Sequence, residues 1–125
     1  MVKFLKCELC GRIVEVLKDT ASPAFCCGKE MTELVPNSTE AAFEKHLPVI
    51  AVDGNHVKVT ISTVEHPMLA EHYIEWIYLL TEKGSQRKEL HAGEKPEATF
   101  ALTADDKVIA AYAYCNLHGL WKTEV

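Results

Sequence analysis

The chain has 125 residues, 48% apolar and 25% charged, the balance of an ordinary globular protein of one domain or one domain with a small appendage. A formal net charge of −5 argues against non-specific nucleic-acid binding and means that any anionic substrate must be drawn in by a local basic group. No apolar run is long enough to span a membrane, and residues 1–9 carry two lysines and a glutamate where a signal peptide would be apolar, so a cytoplasmic protein is expected.

Residues 1–36 hold four of the five cysteines and no histidine, whereas residues 37–125 hold all six histidines and one cysteine, and two domains are predicted with that division. The first is too short to bury a core and needs a metal or a covalent link to stay folded. Its Cys7-Glu8-Leu9-Cys10, then 15 residues, then Cys26-Cys27-Gly28, can place four thiolates around one ion. Clustered cysteines in a reducing compartment are more often ligands than disulfides. A zinc ribbon has two residues between the members of both pairs, but here the second pair is adjacent. Neighbouring side chains reach a tetrahedron only with strain, so a distorted site is expected, with Gly11 and Gly28 relieving the backbone. Thiolates select zinc or iron, and spacing does not choose between them. A vicinal disulfide at Cys26-Cys27 and free thiols are the alternatives.

The join from Val35 to Glu40 reads as a linker, in which Asn37 and Glu40 resemble a capping pair for one or two helical turns through Ala41-Ala42-Phe43-Glu44. Strands follow. Residues 56–62 alternate apolar and polar with period two, and residues 48–52, 73–80, 98–102 and 107–115 are the other candidates. Turn signals separate them at Asp53-Gly54-Asn55, Lys83-Gly84-Ser85, Ala92-Gly93-Glu94 and Ala104-Asp105-Asp106, the pattern of a β-sandwich. Residues 73–80 are apolar on both faces, which suits a strand covered by the core on one side and by a partner on the other.

Three pieces of this second segment carry metal-ligand chemistry: Glu44-Lys45-His46-Leu47-Pro48, then His66-Pro67-Met68 with His72-Tyr73-Ile74, then Cys115-Asn116-Leu117-His118-Gly119-Leu120-Trp121. A lone histidine is more often a surface or hydrogen-bonded residue than a ligand. Here His46, His66 and His72 lie near strand mouths and Cys115-x-x-His118 ends another strand, so one pole of a sandwich can gather them. His56 and His91 have no such company and belong to the surface. Trp76, Tyr112, Tyr114 and Trp121 read as packing. Cys115-x-x-His118 also suits a blue-copper electron carrier, but residues 119–125 contain no methionine for its axial position. A zinc-ribbon module on a structural sandwich is the other rival, and it leaves the histidine cluster accidental.

Together these motifs resemble the desulfoferrodoxins, the two-iron class of superoxide reductase, over essentially the whole chain. The resemblance is carried by Cys7, Cys10, Cys26 and Cys27, by Glu44-Lys45-His46-x-Pro48, His66-Pro67 and His72, and by Cys115-Asn116-x-His118-Gly119. It implies a mainly β chain: a desulforedoxin-like four-cysteine iron domain at residues 1–36, then an immunoglobulin-like sandwich at residues 37–125. It implies a second iron with His46, His66, His72 and His118 as equatorial ligands and Cys115 as the axial one. Such a set leaves one octahedral position open opposite an electron-donating thiolate. The implied reaction is one-electron reduction of superoxide to hydrogen peroxide without release of O2, in a homodimer fed by a rubredoxin-like donor. Lys45 is then the basic group that draws superoxide in and holds a proton-delivering water, and Glu44 fills the open position on ferric iron. Without the resemblance both read as ordinary loop charges. Lys122 would add to the local field. Asn116 is expected to direct an amide toward the sulfur, and Pro48 and Pro67 to stiffen the ligand loops.

Overall fold

The computed structural model describes residues 2–39, 43–62 and 66–125, with only the backbone at Glu44. The chain divides into two compact units, Met1–Val35 and Pro36–Val125.

The first unit is made of β1 (Phe4–Lys6), β2 (Ile13–Glu15), β3 (Phe25–Cys26), β4 (Lys29–Glu30) and β5 (Thr32–Glu33). Strand β1 lies between β2 and β5, both antiparallel to it, with Leu5 opposite Val14 on one side and Glu33 on the other. Phe4, Cys7 and Met31 are its buried apolar residues among those described, too few for a self-sufficient core. Strands β3 and β4 form a hairpin with Cys26 opposite Lys29. Its two turn residues, Cys27 at φ 55° and Gly28 at φ 73°, are both left-handed, as the tightest hairpin turn requires.

The second unit opens with a 3-10 turn (Phe43–Lys45) and continues through β6 (Pro48–Asp53), β7 (His56–Ile61), β8 (Ile74–Thr81), β9 (Ser85–Glu89), β10 (Glu97–Ala101), β11 (Val108–Cys115) and β12 (Gly119–Glu124). These form a three-stranded sheet β10-β7-β6 and a four-stranded sheet β12-β11-β8-β9. All pairs are antiparallel. One core joins them: Val57, Val59 and Ile61 of β7 and Phe100 of β10 meet Ile74, Ile77 and Leu79 of β8 and Ala111, Ala113 and Cys115 of β11. This is the sandwich that the alternation predicts. On β7 the alternation is complete, with Val57, Val59 and Ile61 buried and His56 and Lys58 exposed. The other face of β8 and β11 carries buried aromatic residues paired across the strands. Trp76 stacks on Tyr114 at 5.7 Å, and Tyr78 meets Tyr112 edge-on at the same distance.

Three features depart from expectation. Strand β9, Ser-Gln-Arg-Lys-Glu, is exposed throughout and has no apolar period to betray it; its register with β8 holds it, with Ser85 opposite Leu80. Strand β12 follows directly from the last histidine motif. Asn37, at φ 59°, does not cap a helix: its side chain accepts from the Lys122 amide at 2.9 Å and donates to the Lys122 carbonyl at 3.1 Å. The rest of the anticipated helix start, Glu40, Ala41 and Ala42, lies outside the described residues.

Candidate metal centres

In the first unit the sulfurs of Cys7, Cys10, Cys26 and Cys27 lie within 4.8 Å of one another. Cys7 and Cys10 come from the turn after β1, where Gly11 donates to the Cys7 carbonyl at 2.9 Å. Cys26 and Cys27 come from the β3–β4 hairpin, and the left-handed backbone at Cys27 turns two adjacent sulfurs toward one point. Their sulfurs are 4.0 Å apart, about twice a disulfide bond, so the vicinal pair is not oxidised. The Cys10 amide, 3.4 Å from the Cys7 sulfur, helps bring that thiol down to about 6. Hydrogen bonding with Cys10 and Cys7 pushes Cys26 up to about 12. Thiols this close share protons unless a cation replaces them, which is the chemistry of a metal-ligating set.

In the second unit the described residues His46, His66, His72 and Cys115 place one donor atom each within 4.8 Å of the others, and His118 joins them. His46 follows the 3-10 turn, its amide donating to the Phe43 carbonyl at 3.0 Å. His72 pairs backbone to backbone with Leu69. Cys115 ends β11 opposite Ile74, at a register shift in the β8–β11 ladder. His118 sits in the turn into β12, which Gly119 permits at φ 81°; a Cβ there would meet Thr39 Oγ1 at 3.1 Å.

The four imidazoles form a closed square. Ring centroids are 4.7 Å apart for His46–His66, 4.8 Å for His66–His72, 5.1 Å for His72–His118 and 4.8 Å for His118–His46. Neighbouring rings stand at 74–84° to each other, like vanes around an axis. The Cys115 sulfur lies 3.8 Å from His118 Nδ1. His66 Nδ1 donates to the Pro67 carbonyl at 2.7 Å, so its Nε2 carries the lone pair. That Nε2 and the Nε2 of His72 are buried without a hydrogen-bond partner. Buried unsatisfied nitrogens are costly and rare, and a metal ion satisfies both at once. Burial, reinforced by the neighbouring histidines, holds His66 down to about 4; burial and His118 lower His72 as well. Both are therefore neutral, the form that ligates. Burial raises the Cys115 thiol, while backbone N–H groups of Leu117 and His118 act the other way and favour the thiolate.

The remaining candidates fall as follows. Lys45 is exposed on the turn beside His46, and the side chain of Glu44 lies outside the described residues. Lys122 does not face the histidines: its Nζ pairs with Glu124 at 2.7 Å and lies 5.5 Å over the Tyr112 ring. Asn116 does not aim its amide at the sulfur. It donates to the Glu71 carbonyl at 3.0 Å and accepts from the Tyr73 amide at 3.0 Å, bracketing the loop that carries His72. Pro67 serves His66 through its carbonyl, and Pro48 starts β6. His56 and His91 are exposed, the latter paired with Glu94. Trp121 packs in the interior, as read, but also touches two of the histidines, a role its apolar character did not signal.

Two family models match the chain, "Desulfoferrodoxin" over residues 38–124 and "Desulfoferrodoxin, N-terminal domain" over residues 2–34. The chain belongs to the desulfoferrodoxin family. A desulfoferrodoxin from Syntrophotalea carbinolica is 46% identical, covering 95% of this chain and 93% of its own length. One from Nitratidesulfovibrio vulgaris is 47% identical over the same shares. Among solved structures, the superoxide reductase from Treponema pallidum superposes with a TM-score of 0.85 at 42% identity, covering 99% of both chains. A one-iron superoxide reductase from Giardia intestinalis covers 66% of this chain and 97% of its own, at TM-score 0.56 and 35% identity. Four thiolates in one unit, and four imidazoles with a thiolate in the other, fit two iron centres per chain. No helix among the described residues is long and apolar enough to cross a membrane.

Proposed function

We propose that the centre formed by His46, His66, His72, His118 and Cys115 holds iron and reduces superoxide by one electron, and that Cys7, Cys10, Cys26 and Cys27 hold a second iron. The observation that carries this reading is the closed square of imidazoles with two buried, unpartnered Nε2 atoms beside a buried thiol. Bound iron supplies the electron and an open coordination position. Superoxide takes up that electron and two protons to give hydrogen peroxide, and no O2 is formed. The protein's part is to keep the His66 and His72 imidazoles neutral by burial, to present the Cys115 sulfur beside them with the Leu117 and His118 amides favouring its thiolate, and to bring the anion in against a net charge of −5. Lys45, exposed next to His46, is the group for that attraction and for holding a water that delivers a proton. Glu44, next in the chain to Lys45, would supply a carboxylate to hold the ferric ion.

In this reading residues 1–36 are the four-cysteine domain and residues 37–125 the reductase domain. The enzyme is a cytoplasmic homodimer that receives electrons from a rubredoxin-like carrier.

The test is rapid mixing of the reduced, iron-loaded protein with superoxide. One peroxide per superoxide, with a transient thiolate-to-iron absorption, is the expected result. O2 evolved at half the superoxide consumed means dismutation and overturns the mechanism. Lys45→Ile should slow the reaction about 10-fold and flatten its salt dependence; an unchanged rate removes Lys45 from the chemistry.

A further inference from the structure

We infer that Trp121 is a positioning residue of the histidine centre, fixing the ring plane of His46 by stacking and the backbone of His118 by a hydrogen bond. The inference rests on the reading of those histidines as iron ligands.

Trp121 lies on β12 opposite Ala113 of β11 and is 0% exposed. The small Ala113 leaves it room on the inner side of the sheet. Volume alone would explain a buried tryptophan, but among the described residues its side chain meets His46, the His118 carbonyl and Phe43, all at the site or on the turn leading into it. Its ring lies 4.8 Å from that of His46 at 22°, a stacked arrangement. Its Nε1 donates to the His118 carbonyl at 3.2 Å, which satisfies the buried indole N–H on the residue that supplies another ligand. The edge of Phe43 meets it at 5.3 Å and 89°. Phe43 begins the 3-10 turn that ends at Lys45, and the His46 amide closes back onto the Phe43 carbonyl. The indole thus holds both ends of the turn that carries Lys45.

The reason a wall is needed lies in the histidine side chain. The torsion that rotates an imidazole about its bond to Cβ is broad, so the ring plane is set by what it touches. His66 is oriented by the Pro67 carbonyl. His46 has the indole face against its ring, which stands at 74° to His66 and 84° to His118. His46 and His118 are adjacent in the square, Nε2 to Nδ1 at 3.0 Å. One tryptophan therefore holds one whole edge of the ligand set.

The experiment compares iron-loaded, full-length Trp121→Leu, Trp121→Phe and Phe100→Leu with the wild type. Phe100 is buried on β10 in the core between the two sheets and is not one of the site residues, so its variant reports core loosening. The readouts are the electron paramagnetic resonance signal of the ferric histidine centre and the rate of its loss to a chelator. Trp121→Leu should alter the rhombicity of that signal and release iron about 10-fold faster. Trp121→Phe keeps an aromatic face but no N–H, so it should restore most of the signal while still losing iron faster than the wild type. Phe100→Leu should lower thermal stability with a wild-type signal. A wild-type signal in Trp121→Leu, with iron loss no faster than in Phe100→Leu, overturns the inference and leaves Trp121 as packing. If Trp121→Leu does not fold, Trp121→Phe decides, and wild-type iron retention in it overturns the hydrogen-bond role. Wild-type protein without iron at the histidines would instead overturn the underlying reading, a distinguishable failure.

Discussion

Burial holds His66 down to about 4, so between that pH and its ordinary value near 6.5 the unfolded chain binds a proton that the folded chain does not. The metal-free folded state is then fully favoured above about pH 6.5 and loses stability as pH falls toward 4. Urea unfolding of chelator-stripped protein, followed by the fluorescence of Trp76 and Trp121, should show this loss across the window, and His66→Gln should flatten it. Equal slopes for the two proteins would mean that another group carries the dependence. At this scale the sequence was a good guide to which residues converge and a poor one to what their neighbours do. Histidine and cysteine announce themselves as donors by side-chain chemistry. Asn116 and Trp121 do not, because a carboxamide or an indole serves many purposes and only the folded contact picks one. The amide of Asn116 meets the Glu71 carbonyl, 45 residues away in the chain.

The turn between β11 and β12 shows how an element constrains the site. Gly119 combines a φ of 81° with a prospective Cβ contact of 3.1 Å to Thr39 Oγ1. Gly119→Ala should cost about 1–2 kcal/mol from the left-handed backbone alone, plus whatever the contact adds. Adding Thr39→Ala should recover only the contact part, measured as midpoint shifts in denaturant. Full recovery would show the backbone to be unstrained. Strand legibility followed burial. Strand β7 was plain because Val57, Val59 and Ile61 alternate with exposed residues, whereas β9 has no buried residue to supply a period. Strand β12 is hidden in the sequence because its first residues, Gly119, Leu120 and Trp121, run straight on from the Cys115-x-x-His118 motif with no turn signal between. Asn37 misled because a capping residue and a residue that hydrogen-bonds across to a strand share the same side chain, and only the latter partner, Lys122, is distant in sequence.

Over the whole molecule, two metal-ligating sets are built in opposite ways. The first unit has few buried apolar side chains, and its four cysteines, of which only Cys7 is buried, cross-link its turns near the surface once they hold a metal. The second has a continuous core between two sheets and sets its ligands at loops and strand ends. The division of labour was visible in the sequence as a change of composition, cysteines before the join and histidines after it. What composition could not convey was the square itself, since nothing in the spacing of His46, His66, His72 and His118 orders them around an axis.

That square has a kinetic meaning. Its closing pair, His46 and His118, is separated by 72 residues, whereas Cys7 and Cys26 are separated by 19. Bringing distant segments together is slow, and here it waits on the pairing of β11 with both β8 and β12. During refolding with ferrous iron under anaerobic conditions, the four-thiolate centre should therefore appear first and the histidine centre only with the finished sandwich. Stopped-flow spectra that resolve the two centres, alongside tryptophan fluorescence, would show that order. Simultaneous appearance, or the histidine centre leading, would mean that iron gathers its own ligands before the strands are in place.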